Sequence, residues 1–482
     1  MNTRSLLAPL MGIFLTACAE RADQPFEPSL PETAVLEGMT HEPCLGQGGS
    51  RPGTKKVFNV EAYGATGDGV TNDKNALQAA LAAGAGAEVF VPAGIYGVDG
   101  QLAITASGTS LTLAPGATIK ALANFPAGID LLKIGDGSTV CSDITVRGGK
   151  IDGSNLTGRA ILSTGPNINV QIHSMELTGT ALTALDFRGV SAARPAIGCV
   201  ACGLYVHDVT EGIQAVRATD VTFFHNRVED MNVGIRYRAQ DCLEVSEVTR
   251  FSITENTCRN PGSANSCIDV FENSSDGKVV GNVCISSTVG PGGAIVTDHN
   301  VTPCSRVTIA DNVITGVFGS GVSTNQGRDF TIIGNVIQDI GSPSIGKGIE
   351  IKSSNTRILR NRIIRTQGFS IHVLGAHDNI SILHNDLHDP VLGAFAGESN
   401  VNIADGRSTN IVIRDNRMSN ATGPHHTYNI ENAPGAQLLV IDNELTGASA
   451  RPIKNENDPN LTLGPNRTTL RGVTTERSAH PL

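Results

Sequence analysis

The sequence predicts an all-β chain, a single-stranded parallel β-helix that grows by stacked coils and carries one helix as an N-terminal cap. Two observations lead there. A phrase of the form apolar-x-apolar-x(1–2)-Asn-x-apolar recurs nine times between Val221 and Leu445. Its asparagines, Asn226, Asn256, Asn282, Asn312, Asn335, Asn361, Asn385, Asn416 and Asn443, stand 23 to 31 residues apart. Repetition at that period marks a solenoid, because no single unit can bury its apolar side alone. Within each copy the apolar residues alternate with the strand period of two, not the helix period. Asparagine suits the turn because it tolerates the left-handed conformation and bonds nearby backbone. Stacked in register, its amides can also bond from coil to coil.

The elements follow in chain order. Met1 to Cys18 reads as a targeting segment, with Arg4 at its start, a short apolar run from Leu6 to Leu15, and Leu15-Thr16-Ala17-Cys18 at its close. The run is too short to span a membrane. Residues 19–56 hold five prolines and no apolar period, which suits a flexible tether. The β-helix is expected over 57–450. Its cap is a helix from Lys74 to Ala83 with Ala76, Leu77, Ala80 and Leu81 on one face, entered through Thr71, Asn72 or Asp73 and stopped by Gly84. Glu88 to Tyr96 forms the first strand and turn. After Ala450 the repeats fade, so 451–482 reads as a polar tail or weak C-terminal cap.

Composition narrows the function. The 482 residues include 54 glycines, as a turn-rich solenoid requires, and the net charge of −10 argues against a nucleic-acid partner. Nine cysteines remain after Cys18. Cys258 and Cys284 hold the same inward position on successive repeats, close enough for a disulfide yet equally suited to two reduced core thiols. Cys199-Val-Ala-Cys202 is a lone pair without a zinc-site partner, either a loop disulfide or two unrelated thiols.

Asn59-Val60, Tyr63-Gly-Ala65, Gly67-Asp-Gly69, Asp73, Ala76-Leu-Gln-Ala-Ala80 and Val91-Pro92-x-Gly94-x-Tyr96 together resemble the N-terminal signature of the pectate-lyase-like superfamily. The resemblance implies a right-handed parallel β-helix. It does not fix an activity, since polygalacturonase-like hydrolases, mannuronan C5-epimerases, polysaccharide lyases and phage tailspikes share the signature. Leu15 to Cys18 likewise resembles the bacterial lipobox, which implies a lipid anchor on Cys18. Ala19 in place of aspartate then implies the outer membrane, with a periplasmic or secreted protein as the alternative.

A second strand in each repeat offers a surface for chemistry. Its outward positions give one column, Gln214, Arg236, Asp269, Val296, Ser323, Glu350 and His372. A neighbouring column holds Val216, Arg238, Phe271, Asp298, Asn325, Lys352 and Leu374, with Glu272 and His299 just beyond. Removing the C5 proton of a uronate needs a cation or metal at the carboxylate and a base at the proton. Arg236 and Arg238 suit the first task by bidentate contact. Asp298, His299 and Lys352 suit the second, and calcium could assist. Cys267-Ile-Asp269-Val-Phe271-Glu272 is similar to the catalytic strand of mannuronan C5-epimerases in its Asp and Glu, but has Phe271 for the His and Ser266 for the preceding Tyr. Asp298 and Glu350, two coils or ~9.6 Å apart, could instead serve an inverting hydrolase. These residues lead to an exported protein that binds an anionic polysaccharide. A lyase or C5-epimerase is the first reading. A polygalacturonase-like hydrolase or a non-catalytic glycan-binding envelope protein are the alternatives. Asp269, Asp298, His299, Glu350 and Lys352 are the catalytic candidates, and Arg236, Arg238, Glu272, Asn325 and His372 the substrate-binding ones.

Overall fold

A computed structural model describes residues 56–482, apart from 232–240, 260–265, 286–292, 342–345, 391–398, 420–427, 448–451, 456, 471–472 and 478–482. The targeting segment with Cys18, nearly all of the tether, and Arg236 and Arg238 lie outside the described residues.

The strands form a parallel β-solenoid of about 14 turns. They fall into three stacks, residue over residue. In the first stack Ser252, Lys278, Thr308, Thr331, Arg357 and Ser381 lie one above another. In the second, Cys258, Cys284, Ile314, Ile337, Ile363 and Leu387 do so. In the third the inward file is Val245, Val270, Thr297, Thr324, Ile351, Val373 and Ile403. Ile253, Val279, Ile309, Ile332, Ile358 and Ile382 are fully buried, so the period-two alternation becomes one continuous aliphatic core.

The signature residues interlock at the N-terminal end. The helix α1 (Lys74–Ala83) buries Leu77, Ala80 and Leu81. Its Gln78 side chain stands in for a neighbouring strand: Nε2 donates to Ala103 O (3.0 Å) and Oε1 accepts from Ala103 N (2.9 Å). The cap thereby covers the edge of the strand Leu102–Ile104, where open backbone groups would otherwise face solvent. Asp73 is the N-cap residue, but its carboxylate does not cap the helix. Instead it accepts from Thr66 N, Thr66 Oγ1 and Gly67 N. Gly67 has φ +65° and a Cβ there would come within 2.9 Å of the Tyr96 ring, so the loop that Asp73 holds admits glycine only.

Each ladder asparagine is buried and bonds to the next. Asn335 Oδ1 accepts from Asn312 N (3.0 Å) and Asn312 Nδ2 (2.9 Å), while Asn335 N and Nδ2 both donate to Asn361 Oδ1. The chain of amides runs from Asn226 to Asn466, one rung beyond the repeats recognised in the sequence. The left-handed residue of the turn is not the asparagine but the one before it, such as His225, Glu255, Asp311, Arg360, His384, Asp415 and Asp442. Asparagine is thus required for its amide rather than its backbone tolerance.

Strands also continue past residue 450. Leu461–Leu463 and Asn466–Leu470 stack on the preceding coil, and Val473–Arg477 then pairs antiparallel to Asn466–Leu470. The C-terminal stretch is therefore a further coil closed by a hairpin, longer in structure than the expected boundary at 450 implies. Among the cysteines, Cys258 and Cys284 do stack in register, but Cys258 is bonded to Cys242 and Cys284 is free. Cys199 is free and buried while Cys202 is disulfide-bonded, so the two thiols of the CxxC are unrelated.

Candidate functional site: a carboxyl column on the third stack

The register of the third stack decides which side chains share its outer face. Asp186, Gln214, Glu244, Asp269, Val296, Ser323, Glu350, His372, Asn402 and Glu431 form one file. Glu244 takes the position expected for Arg236, and Ser246 takes the one expected for Arg238. The reason is local. Leu243-Glu-Val-Ser runs without interruption into Val248 and the next face, so the strand begins nine residues later than the Gly234-Ile-Arg-Tyr-Arg238 alternation suggests. The correction reverses the sign of the face at this coil from basic to acidic.

An acidic centre results, spread over three successive coils. Glu211 enters the face from the edge beside Gly212, and its Oε2 accepts from Thr183 Oγ1 at 2.7 Å. Burial, then the charge of Glu244, holds the Glu211 carboxyl well above the usual range. Burial also raises Glu244, while Glu211 and Gln214 beside it draw it back down. Asp269, on the next coil, is half-buried, and its Oδ1 is shielded without a hydrogen-bond partner. Burial raises its pKa well above the ordinary value, and the charges of Asp241, Glu244, Asp298 and Glu211 add to the rise. At the other end Asp186 is fully buried, clamped by Arg159 (3.0 Å) and Arg188 (2.8 Å). Arg188 also reaches Gln214 Oε1 at 3.0 Å. Carboxyls raised by burial and by one another thus stand together on one face, the setting in which acid–base roles are tuned apart. Glu211, Glu244, Asp241 and Asp186 went unrecognised in the sequence.

Further along the same face lies a second group. Glu350 is buried and meets Lys352 Nζ at 3.0 Å and Lys347 Nζ at 3.5 Å, with His372 Nδ1 3.7 Å away. Lys352 also donates to Asn325 Oδ1 at 2.9 Å, and Phe369 packs against the His372 ring. Glu350, Lys352, Asn325 and His372 thus lie together on this face. Burial raises the Glu350 carboxyl, but the nearby His372 ring, the Lys352 contact and the two lysine charges outweigh it and hold the pKa down at about 2. A carboxyl depressed below its ordinary 4.5 contributes stability that is complete above that value and lost as pH falls toward 2. Thermal melts should therefore show Glu350→Gln less stable than wild type at about pH 6, with the gap closing as pH falls toward about 2. A gap independent of pH would mean that the cluster does not bind the charge.

The remaining candidates are placed as follows. Asp298 stands in the neighbouring file beneath Phe271, one coil from Asp269, and accepts from His299 N at 2.8 Å. His299 Nδ1 is shielded and unpartnered. Glu272 accepts from the backbone N of Asn300, Val301 and Thr302 at 2.7, 3.0 and 2.7 Å, so its oxygens close a turn. Asp298 and Glu350 lie two coils apart but in different files. Among the described residues no three His, Cys, Asp or Glu side chains are grouped to hold a metal ion.

Comparison with known proteins bears on the fold. Residues 57–194 match the family model described as rhamnogalacturonase A/epimerase, pectate lyase-like, and residues 193–391 match the one described as periplasmic copper-binding protein (NosD). No curated protein matches the chain. Among solved structures, the pre-mature bacteriophage phi29 gene product 12 is similar with a TM-score of 0.61 and 14% identity, over 87% of this chain and 57% of that one. The A-module of mannuronan C-5 epimerase AlgE4 from Azotobacter vinelandii is similar at 18% identity and a TM-score of 0.48, over 85% of this chain and 100% of that one. The first of these likenesses shows the fold. It agrees with the family match over the cap and first coils, where Asp73, Gly67, Gly94 and Tyr96 interlock. The chain is a right-handed parallel β-helix whose N-terminal coils, residues 57–194, are similar to the pectate-lyase-like family.

Proposed function

We propose that the protein is an exported polysaccharide-active enzyme, and that it hydrolyses glycosidic bonds on the outer face of the third stack. One observation carries this reading: Asp269, whose carboxyl is raised by burial and by the neighbouring acids, stands in register one coil from Glu244 on the same face. Glycosidic hydrolysis needs an acid at the leaving oxygen and a carboxylate across the ring. Coil spacing of ~4.8 Å is near the carboxyl separation of about 5–5.5 Å used by retaining enzymes. Asp269 is the acid, Glu244 the carboxylate, and Glu211 positions Glu244. The family description that joins a rhamnogalacturonase with an epimerase supports a polysaccharide substrate.

A lyase or C5-epimerase acting on a uronate polymer is the second reading, favoured by Lys347, Lys352 and His372 around Glu350, where cation and base lie together. A panel of neutral and uronate polysaccharides separates the readings. New reducing ends without ultraviolet absorbance mean hydrolysis, an unsaturated-uronate band means a lyase, and retention without turnover means glycan binding only.

The Leu15 to Cys18 lipobox and the match to a periplasmic family support export with a lipid anchor on Cys18. Cys18→Ala is expected to abolish lipid labelling and release the protein from membranes. Unchanged membrane retention would count against the anchor.

A further inference from the structure

Four cysteines lie at the base of the strands that carry the acidic centre. Cys242 stands two residues before Glu244 and Cys267 two residues before Asp269. The Cys242–Cys258 disulfide ties the start of a third-stack strand to the second stack on one coil, with Cα atoms 6.1 Å apart. The next coil repeats the arrangement. Cys284 lies in register beneath Cys258. Leu243 N donates to Cys267 O, and Leu243 pairs with Ile268, which puts Cys267 beneath Cys242. Two parallel strands keep their separation from one rung to the next, so the lower pair inherits a Cα spacing within the range a disulfide accepts. The lower cysteines are both free and buried.

We propose that Cys267 and Cys284 close into a second disulfide stacked on Cys242–Cys258, making a two-rung clamp beneath Glu244 and Asp269. The oxidant is an external disulfide, either a small molecule or a thiol–disulfide oxidoreductase. One cysteine, as thiolate, attacks a sulfur of that disulfide and expels one thiolate. The other then attacks the mixed disulfide and expels the second. Two protein thiols and one external disulfide thus become one protein disulfide and two external thiols, with both protons passing to the leaving groups. The neighbouring Cys284 thiol and then burial push the Cys267 thiol well above its ordinary pKa, so the folded pair reacts slowly. The bond therefore forms while the coils assemble. Folding in an oxidising compartment gives two rungs, and folding in a reducing one leaves the lower rung open. This clamp does not depend on which reaction the face performs.

The test refolds the full chain with a mixture of oxidised and reduced glutathione, blocks remaining thiols with N-ethylmaleimide in denaturant without reductant, and maps proteolytic fragments by mass. The expected result is a cross-linked peptide pair containing Cys267 and Cys284, beside the pair containing Cys242 and Cys258. Protein refolded with excess reduced thiol should instead carry the blocking group on both Cys267 and Cys284. In Cys284→Ser the Cys267 residue should be blocked under either condition, while the upper rung persists. Quantitative blocking of Cys267 and Cys284 after oxidative refolding would overturn the proposal. So would linkage between coils, Cys242 to Cys267 or Cys258 to Cys284.

Discussion

Asp269→Asn is expected to lower kcat about 100- to 10,000-fold while leaving the protein at least as stable as wild type at neutral pH. The loss follows from the role: an amide cannot give a proton to a departing sugar oxygen. The stability follows from the sign of the shift. The Asp269 carboxyl is raised well above its ordinary value by burial, then by Asp241, Glu244, Asp298 and Glu211. A carboxyl raised in the folded state costs stability progressively as pH climbs from the unfolded pKa toward the folded one. Asparagine has nearly the same shape and no charge, so it removes that cost. Glu244→Gln should fall in kcat by a similar factor, because the opposing carboxylate is lost, and the double variant should fall little further than either single one. KM should change little in all three, since the interactions removed belong to the transition state. Reducing-end release from a polysaccharide that wild type cleaves, read beside urea unfolding, checks both halves. Wild-type turnover in Asp269→Asn would move the chemistry elsewhere, with the Glu350 group next in line.

Physical causes separate what could be read in the sequence from what could not. The inward files were legible because alternation and burial are one signal: Ile253, Val279, Ile309 and Ile332 had to face the core. Glu350, Lys352, Asn325 and His372 were legible because their strands each begin at a small residue and contain no competing alternation. At the coil of Glu244 the signal doubled. Gly234-Ile-Arg-Tyr-Arg238 alternates as well as Leu243-Glu-Val-Ser246 does, and only hydrogen-bond register chooses between them. A slip between two such segments changes the residue placed on the face, from Arg236 to Glu244. Glu211 was hidden for another reason. It precedes Gly212, a small residue that reads as a strand boundary, yet β structure runs through it from Tyr205 to Phe224. A strand that bends round a corner has no punctuation in sequence, and the corner is where Glu211 meets Glu244. The pairing of cysteines failed similarly: register put Cys284 beneath Cys258, but the bond runs across the coil to Cys242.

Asn335→Ala is expected to cost about 2–6 kcal/mol, from two orphaned buried donors at about 1–3 kcal/mol each. Asn335 Oδ1 is the acceptor for both Asn312 N and Asn312 Nδ2, and no water can replace it at a position this deeply buried. Its own Nδ2 also serves Ile309 O at 3.0 Å and Asn361 Oδ1 at 2.9 Å, so acceptors on both neighbouring coils lose a partner. Asn335→Asp should be no better. It restores the acceptor but supplies no donor to Asn361, and it buries a charge against that oxygen. Asn379→Gly serves as the control, because its bond to Asn355 Oδ1 lies on the exposed side of the coil and its φ of +56° suits glycine. Its effect should stay within about 0.5 kcal/mol. Position adds a second signature. Stability in a solenoid is approximately a sum over coils and their interfaces, so a weak interface in mid-array loosens the coupling between its two sides. Urea unfolding of Asn335→Ala should therefore show a lower midpoint and a broadened or split transition, whereas Asn379→Gly should overlay wild type. An Asn335→Ala curve superimposable on wild type would mean that the amide ladder follows from the stacking and does not help to hold it.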